Sequence, residues 1–131
     1  MIYTHEVQMR FSDLDVMGHV NHARFLTYIE DARVALLRQL AESAEQSDAS
    51  MILAHIDLDY LHPLTLGSES VAVDIWIDQV GSKSFTVKQE VRQGEEVAAR
   101  GSTIMVAFDY STQSTRMLSD NELEVLEHWK R

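Results

Sequence analysis

The sequence predicts an α+β layer, one long amphipathic helix laid against one face of an antiparallel sheet. Three observations predict it. Helical periodicity runs in a single stretch from His22 to about Leu40, several later stretches alternate apolar and polar residues between short turns, and the C-terminus carries a capped amphipathic segment. At 131 residues the chain is expected to be one domain, 1–131, large enough to bury one core and too small for two.

Residues 3–11 (YTHEVQMRF) are β-compatible with weak alternation, and Ser12 to Gly18 supply turn chemistry. The helix follows: Phe25, Ile29, Ala32, Leu36 and Leu40 recur at spacings of three and four, flanked by Leu26, Arg33 and Leu37, with Asn21 as its N-cap. AESAEQSDAS at 41–50 reads as a frayed helix end and a polar loop. Beyond it, Ile52, Ala54, Ile56, Leu58 and Tyr60 are assigned one face of a strand, opposite His55, Asp57 and Asp59. Val71, Val73, Ile75 and Ile77 form the buried face of the next strand, then Phe85, Val87 and Val91, then Ile104, Val106, Phe108 and Tyr110. The separators are His62 to Ser68, with Pro63 and Gly67, then Gly81-Ser82-Lys83 and Gln93-Gly94-Glu95; the last two are short enough for antiparallel hairpins. SDNELEVLEHWKR closes the chain, with Ser119 and Glu122 as a capping box before Leu123, Leu126 and Trp129. One helix covers only one sheet face, and Trp76 among small and charged residues on the other predicts contact with a second subunit.

Composition excludes several classes of function. Hydrophobic residues make up 45% of the chain, Pro63 is the single proline, and no low-complexity run suggests disorder. With no cysteine there is no disulfide, thiolate metal site or cysteine nucleophile, which suits a reducing interior. MIYTHEVQMRF lacks a charged leader before an apolar run, and no stretch approaches the ~18 apolar residues of a membrane span, so a cytoplasmic protein without a membrane partner is expected. A net charge of −10 repels nucleic acid at long range, whereas a small anionic ligand needs only a few local cations.

The chemistry concentrates in Phe11 to Arg33, FSDLDVMGHVNHARFLTYIEDAR. An aspartate in a loop facing the amides of a helix start is a minimal apparatus for attacking an activated carbonyl: a carboxylate as nucleophile or base, and backbone N–H groups for the developing oxyanion. The amides around Asn21 and His22 are the available donors. Asp13, Asp15, His19 and His22 also resemble a metal cluster, but an EF-hand starting at Asp13 would put Met17 and Arg24 where oxygen ligands belong. The two histidines likewise lack the i, i+4 helical pairing and a third ligand, so neither metal nor cofactor is expected. Gly18 is explained by backbone geometry.

The order of elements, together with Asp13-Leu14-Asp15-Val16-Met17-Gly18-His19-Val20-Asn21, resembles the hotdog fold and within it the 4-hydroxybenzoyl-CoA thioesterase-like family. The resemblance spans about Arg10 to Phe108 and includes the HPLTLG turn at 62–67 and the VGSKS hairpin at 80–84. It implies an acyl-CoA thioesterase, with catalysis at Asp15 and with Asp13 the weaker candidate, more readily read as structural. Gly18, His19, Val20, Asn21 and His22 would lie against the substrate. The nucleotide would lie near the surface, the pantetheine between subunits and the acyl group beside the helix. Among cations for the phosphates, Lys83, Lys88, Arg92 and Arg100 are candidates, with Lys83 and Ser84 preferred. Phe25, Tyr28, Ile29 and Met51 are candidates either for the acyl pocket or for the core. Three alternatives stay open: a carrier-protein thioesterase, a dehydratase or isomerase using His55 or His62, and a non-catalytic acyl-binding module. A homo-oligomer, dimer or tetramer, is expected, because one helix leaves an edge strand and a sheet face uncovered.

Overall fold

Helix α1 (His22–Ser43) is the axis of the fold, because its apolar stripe is what the sheet covers. In the computed structural model, which describes residues 1–43, 50–67 and 69–131, it lies on one face of a sheet built from β1 (Tyr3–Glu6), β2 (Met51–Tyr60), β3 (Val71–Val80), β4 (Ser84–Gln93) and β5 (Glu96–Asp109). The strand order is β1-β3-β4-β5-β2, every pairing antiparallel, and a short β6 (Ser114–Thr115) extends the end of β5. Helix α2 (Asp120–His128) closes one end. Of the 41–50 loop, residues 41–43 complete α1 and 44–49 lie outside the described residues.

Phe25, Ile29, Ala32, Leu36 and Leu40 are all buried, in one core with Val73, Ile75 and Ile77 of β3 and Phe85, Val87 and Val91 of β4. Each of these side chains larger than alanine contributes roughly 1.5–3 kcal/mol of burial. Asn21 is the expected cap: its Oδ1 accepts the Ala23 amide at 2.9 Å. At α2, Ser119 Oγ accepts the Glu122 amide and Glu122 Oε1 accepts that of Ser119, the expected capping box. Glu122 is buried and takes a bidentate pair from Arg116 at 2.7 and 3.0 Å. Trp129 donates to Gln39 Oε1 on α1 and accepts the Ile77 amide, tying α2 to helix and sheet.

Three expectations are corrected, and a fourth, left open between pocket and core, is placed. Residues 3–11 are not one strand: β1 stops at Glu6, and Phe11–Asp13 form a 3-10 turn. Tyr28 and Ile29 belong to the core, and Met51 lies at the far end of β2, so of the four acyl-pocket candidates only Phe25 reaches the candidate site. A bulge between Leu53 and His55 resets alternation in β2. Residues directly opposite on antiparallel strands point to the same face, so Met51 and Leu53, facing buried Ala107 and Met105, share the core side with Ile56, Leu58 and Tyr60, while Ile52 faces outward beside Val106. In β5 the buried residues are Ala98, Ala99, Thr103, Met105 and Ala107; Ile104, Val106 and Phe108 lie half-buried on the outer face. That leaves an apolar outer patch.

Under α1 a polar seam runs through the core. Arg33 donates to the Thr103 hydroxyl at 3.1 Å, which donates to Gln89 Oε1 at 3.0 Å. Arg33 Nε has no partner among the described residues, and burial pulls the guanidinium below its usual pKa. Gly101 lets β2 and β5 approach closely: a Cβ there would sit 2.0 Å from the Asp57 carbonyl oxygen. No helix among the described residues is long and apolar enough to cross a membrane.

Candidate active site

The loop from Asp13 to Asn21 is held by its own backbone. Asp15 and His19 exchange contacts, the Asp15 amide donating to the His19 carbonyl at 2.7 Å and the His19 amide to Asp15 Oδ1 at 3.1 Å. The Met17 amide also donates to Asp15 Oδ1, at 2.8 Å, and the Gly18 amide to the Asp15 carbonyl at 3.1 Å. Gly18 sits at φ +77°, a conformation that strains any side chain-bearing residue, which is why a glycine turns the loop there. Val20 is buried and its amide donates to the Leu64 carbonyl, so the HPLTLG turn anchors the loop.

One oxygen of Asp15 is thus occupied by two amides, while Oδ2 has no protein partner among the described residues. The side chain is exposed and lines a cleft of about 340 Å³ with His19, Val20, His22 and Phe25 on one wall and Tyr60 to Pro63 on the other. Asn21 cannot offer its amide to an oxyanion, since it donates to the Asp13 carbonyl at 2.8 Å. The Ala23 amide is taken by the Asn21 side chain and that of Arg24 by the Asn21 carbonyl. The first-turn donor left without a protein acceptor among the described residues is the amide of His22. A carboxylate oxygen and a helix N-terminal amide, both uncommitted, therefore belong to residues of one cleft, a pairing suited to acyl transfer from an activated carbonyl.

Asp13 is turned away. It is buried, accepting the Tyr28 hydroxyl at 2.6 Å and the Arg10 amide at 3.0 Å, with Arg24 Nε at 3.6 Å. Burial alone would raise its pKa, but those donors and the nearby guanidiniums outweigh it and hold the carboxyl below the ordinary range. Tyr28 moves the other way, pushed far up by burial and by the adjacent carboxylate. Behind Asp13 lies a second cavity of about 390 Å³, lined also by His5, Arg10 and Asp31.

Within the protomer the site residues do not all converge. Gly18, His19, Val20, Asn21 and His22 surround Asp15 in the loop and helix start, whereas Lys83 ends the β3–β4 turn and Ser84 begins β4 at the opposite end of the sheet, Ser84 lying seven residues or ~23 Å along β4 from the row of Val91 and Ala99. Arg92 is engaged with Asp74 at 2.8 Å, and Lys88 and Arg100 line a shallow hollow on the outer face. Tyr60 and His62 form the cleft wall that the loop motif did not foretell. The Tyr60 hydroxyl donates to the His22 carbonyl at 2.8 Å, and His62 Nδ1 stands 3.9 Å from Glu96. The apolar alternation ending at Tyr60 and the following His62-Pro63 turn were the available signals. His55 lies apart, on the outer face, 3.4 Å from Asp57. Among the described residues no three His, Asp or Glu side chains gather as a metal-binding group.

A family model described as the thioesterase-like superfamily matches residues 9–127. The long-chain acyl-CoA thioesterase FadM of Escherichia coli is 28% identical over 127 residues, 93% of this chain and 95% of its own. The 1,4-dihydroxy-2-naphthoyl-CoA hydrolase of Nostoc punctiforme is 26% identical over 135 aligned positions, 100% of this chain and 90% of its own. A thioesterase from Thermus thermophilus, solved with coenzyme A and zinc, superposes with a TM-score of 0.83 at 28% identity, covering 97% of this chain and 92% of that one. With the sheet order, the central helix and a match over nearly its whole length, the chain belongs to the thioesterase-like superfamily and is a thioester hydrolase of the hotdog fold.

Proposed function

We propose that the protein hydrolyses acyl-CoA thioesters in the cleft around Asp15, as one domain spanning residues 1–131. Asp15 Oδ2 acts on the carbonyl carbon directly or takes the proton of an attacking water, and the His22 amide donates to the developing oxyanion. Direct attack breaks the C–S bond, releases CoA thiol and leaves the acyl group as an anhydride on Asp15, which a water then hydrolyses to the free acid; the water route gives free acid and CoA thiol in one displacement. The observation that carries this reading is the state of Asp15: exposed in a cleft, pinned through Oδ1 by two amides, free at Oδ2, with an uncommitted helix amide on a neighbouring wall. Gly18, His19, Val20 and Asn21 shape the loop that presents it.

An oligomer is part of the reading. The ten-residue β2 is paired on one side only, by β5, and exposes Leu53, Tyr60 and Leu61 at its edge and end. A long edge of this kind is a template for a second strand, and a two-fold dimer across it would close the cleft that Tyr60 and Leu61 leave open. The outer patch of Ile104, Val106 and Phe108 supports further association into a tetramer. In that arrangement Lys83 and Ser84 of one protomer can serve the nucleotide bound at another. A cytoplasmic location fits a cysteine-free chain.

The test is a thiol-release screen with CoA esters of short, long and aromatic acids, and with acyl-carrier-protein esters, with Asp15→Asn as control. Thiol release that Asp15→Asn abolishes is the expected result. Binding of the esters without turnover by the unsubstituted protein would assign an acyl-binding module instead. Turnover that alters the acyl chain without freeing thiol would assign a dehydratase, and His62, on the cleft wall near Glu96, is then its first candidate.

A further inference from the structure

We propose that Asp13 and Tyr28 form a latch that sets the position of the catalytic loop, making Asp13 a positioning residue for Asp15 and His22 and not a group that meets substrate. The inference rests on the reading of Asp15 and His22 given above. Three observations carry it.

Asp13 is one of two buried carboxylates among the described residues. Removing an ionised carboxylate from water is costly unless donors replace the solvent, and here they come from two segments: the Arg10 amide before the turn, and α1, which supplies the Arg24 guanidinium from its first turn and the Tyr28 hydroxyl from its second. Such convergence places Asp13 relative to the helix and not merely within its loop.

The backbone of Asp13 relays that placement. Its carbonyl accepts the Asn21 amide, and Asn21 caps the helix through Ala23. This contact withdraws the Asn21 amide and leaves the His22 amide as the uncommitted donor. Two residues on from Asp13, Asp15 is held in turn by the loop. Displacing Asp13 therefore moves the nucleophile or base and the oxyanion donor together.

The third observation is space. The cleft opens in front of the loop, and the 390 Å³ cavity lined by His5, Arg10, Arg24 and Asp31 lies behind Asp13. Val20 and the HPLTLG turn anchor the far end of the loop. At its Asp13 end, beside this cavity, the Tyr28 hydroxyl is the contact that reaches in from the second turn of the rigid helix.

The experiment measures kcat and KM for thiol release by the unsubstituted protein, Tyr28→Phe, Asp13→Asn, the double variant and Asp15→Asn, with the fold of each checked by circular dichroism well below its melting temperature. Because a misplacement of about 1 Å costs up to roughly 100-fold in rate, Tyr28→Phe is expected to lower kcat by about 10- to 100-fold with KM within about twofold. The double variant should be little worse than the poorer single one, as expected for two halves of one contact. Wild-type kcat in folded Tyr28→Phe, with melting temperature alone reduced, overturns the latch, as do losses that multiply independently. If Asp13→Asn does not fold, Tyr28→Phe decides. The Asp15→Asn arm separates two kinds of failure: an active Asp15→Asn enzyme overturns the reading of Asp15 and the latch with it, whereas an inactive one beside an unaffected Tyr28→Phe enzyme overturns the latch alone.

Discussion

The two aspartates of the D-L-D loop differ by two positions and by almost everything in their surroundings. In Asp15→Asn, the remaining carbonyl oxygen can still accept the Met17 and His19 amides, and an NH2 group replaces the free Oδ2. The loop should therefore persist while the chemistry is lost: kcat is expected to fall by roughly 100- to 10,000-fold with little change in melting temperature, measured by thiol release and calorimetry. Asp13 answers to pH instead. Its folded pKa is depressed, so its stabilisation is present above the unfolded value of about 3.9 and is lost as pH falls through the lower folded value. The difference in melting temperature between the unsubstituted protein and Tyr28→Phe should therefore narrow in acid. Sequence made Asp15 legible through its motif and Gly18 through its turn. It could not assign the amides, because the bond that commits Asn21 runs to a carbonyl eight residues earlier and leaves no trace in residue types.

Elements were legible where a period repeats and obscure where a single contact overrides it. Helix α1 and the two tight hairpins followed from spacing and turn residues, and the α2 capping box was read correctly from Ser119 and Glu122. The bulge in β2 could not be read, since one unpaired residue reverses the faces before it without altering composition. Nor could the outward face of β5, whose large side chains resemble a core. Gly101 matters at this scale. An alanine there must push the Asp57 carbonyl away and separate β2 from β5, at about 1–3 kcal/mol, read as a lower urea midpoint for Gly101→Ala. At the opposite end, Arg116→Ala strands Glu122 in the interior, where a broken pair costs about 3–5 kcal/mol. Burial alone would raise the Glu122 pKa, but Arg116 and Ser119 hold it below the ordinary value. The stabilisation is present above the unfolded pKa of about 4.3 and lost as pH falls through the folded one, so urea midpoints of the two proteins should converge in acid.

For the whole molecule the open edge decides most. The strand order leaves β2 terminal and β1, at the other margin, only four residues long, so the expected partner lies along β2. Light scattering should return a mass at least twice 14.9 kDa, and a stable active monomer would contradict the dimer. One bond gives that assembly a further meaning. Tyr60, at the end of the open edge, donates its hydroxyl to the carbonyl of the first residue of α1. The strand a neighbour would grip thus ends as a strut beneath the catalytic end of the helix. Loosening the grip slackens the strut, so specific activity should fade on dilution as the copies part: the enzyme would sense its own abundance.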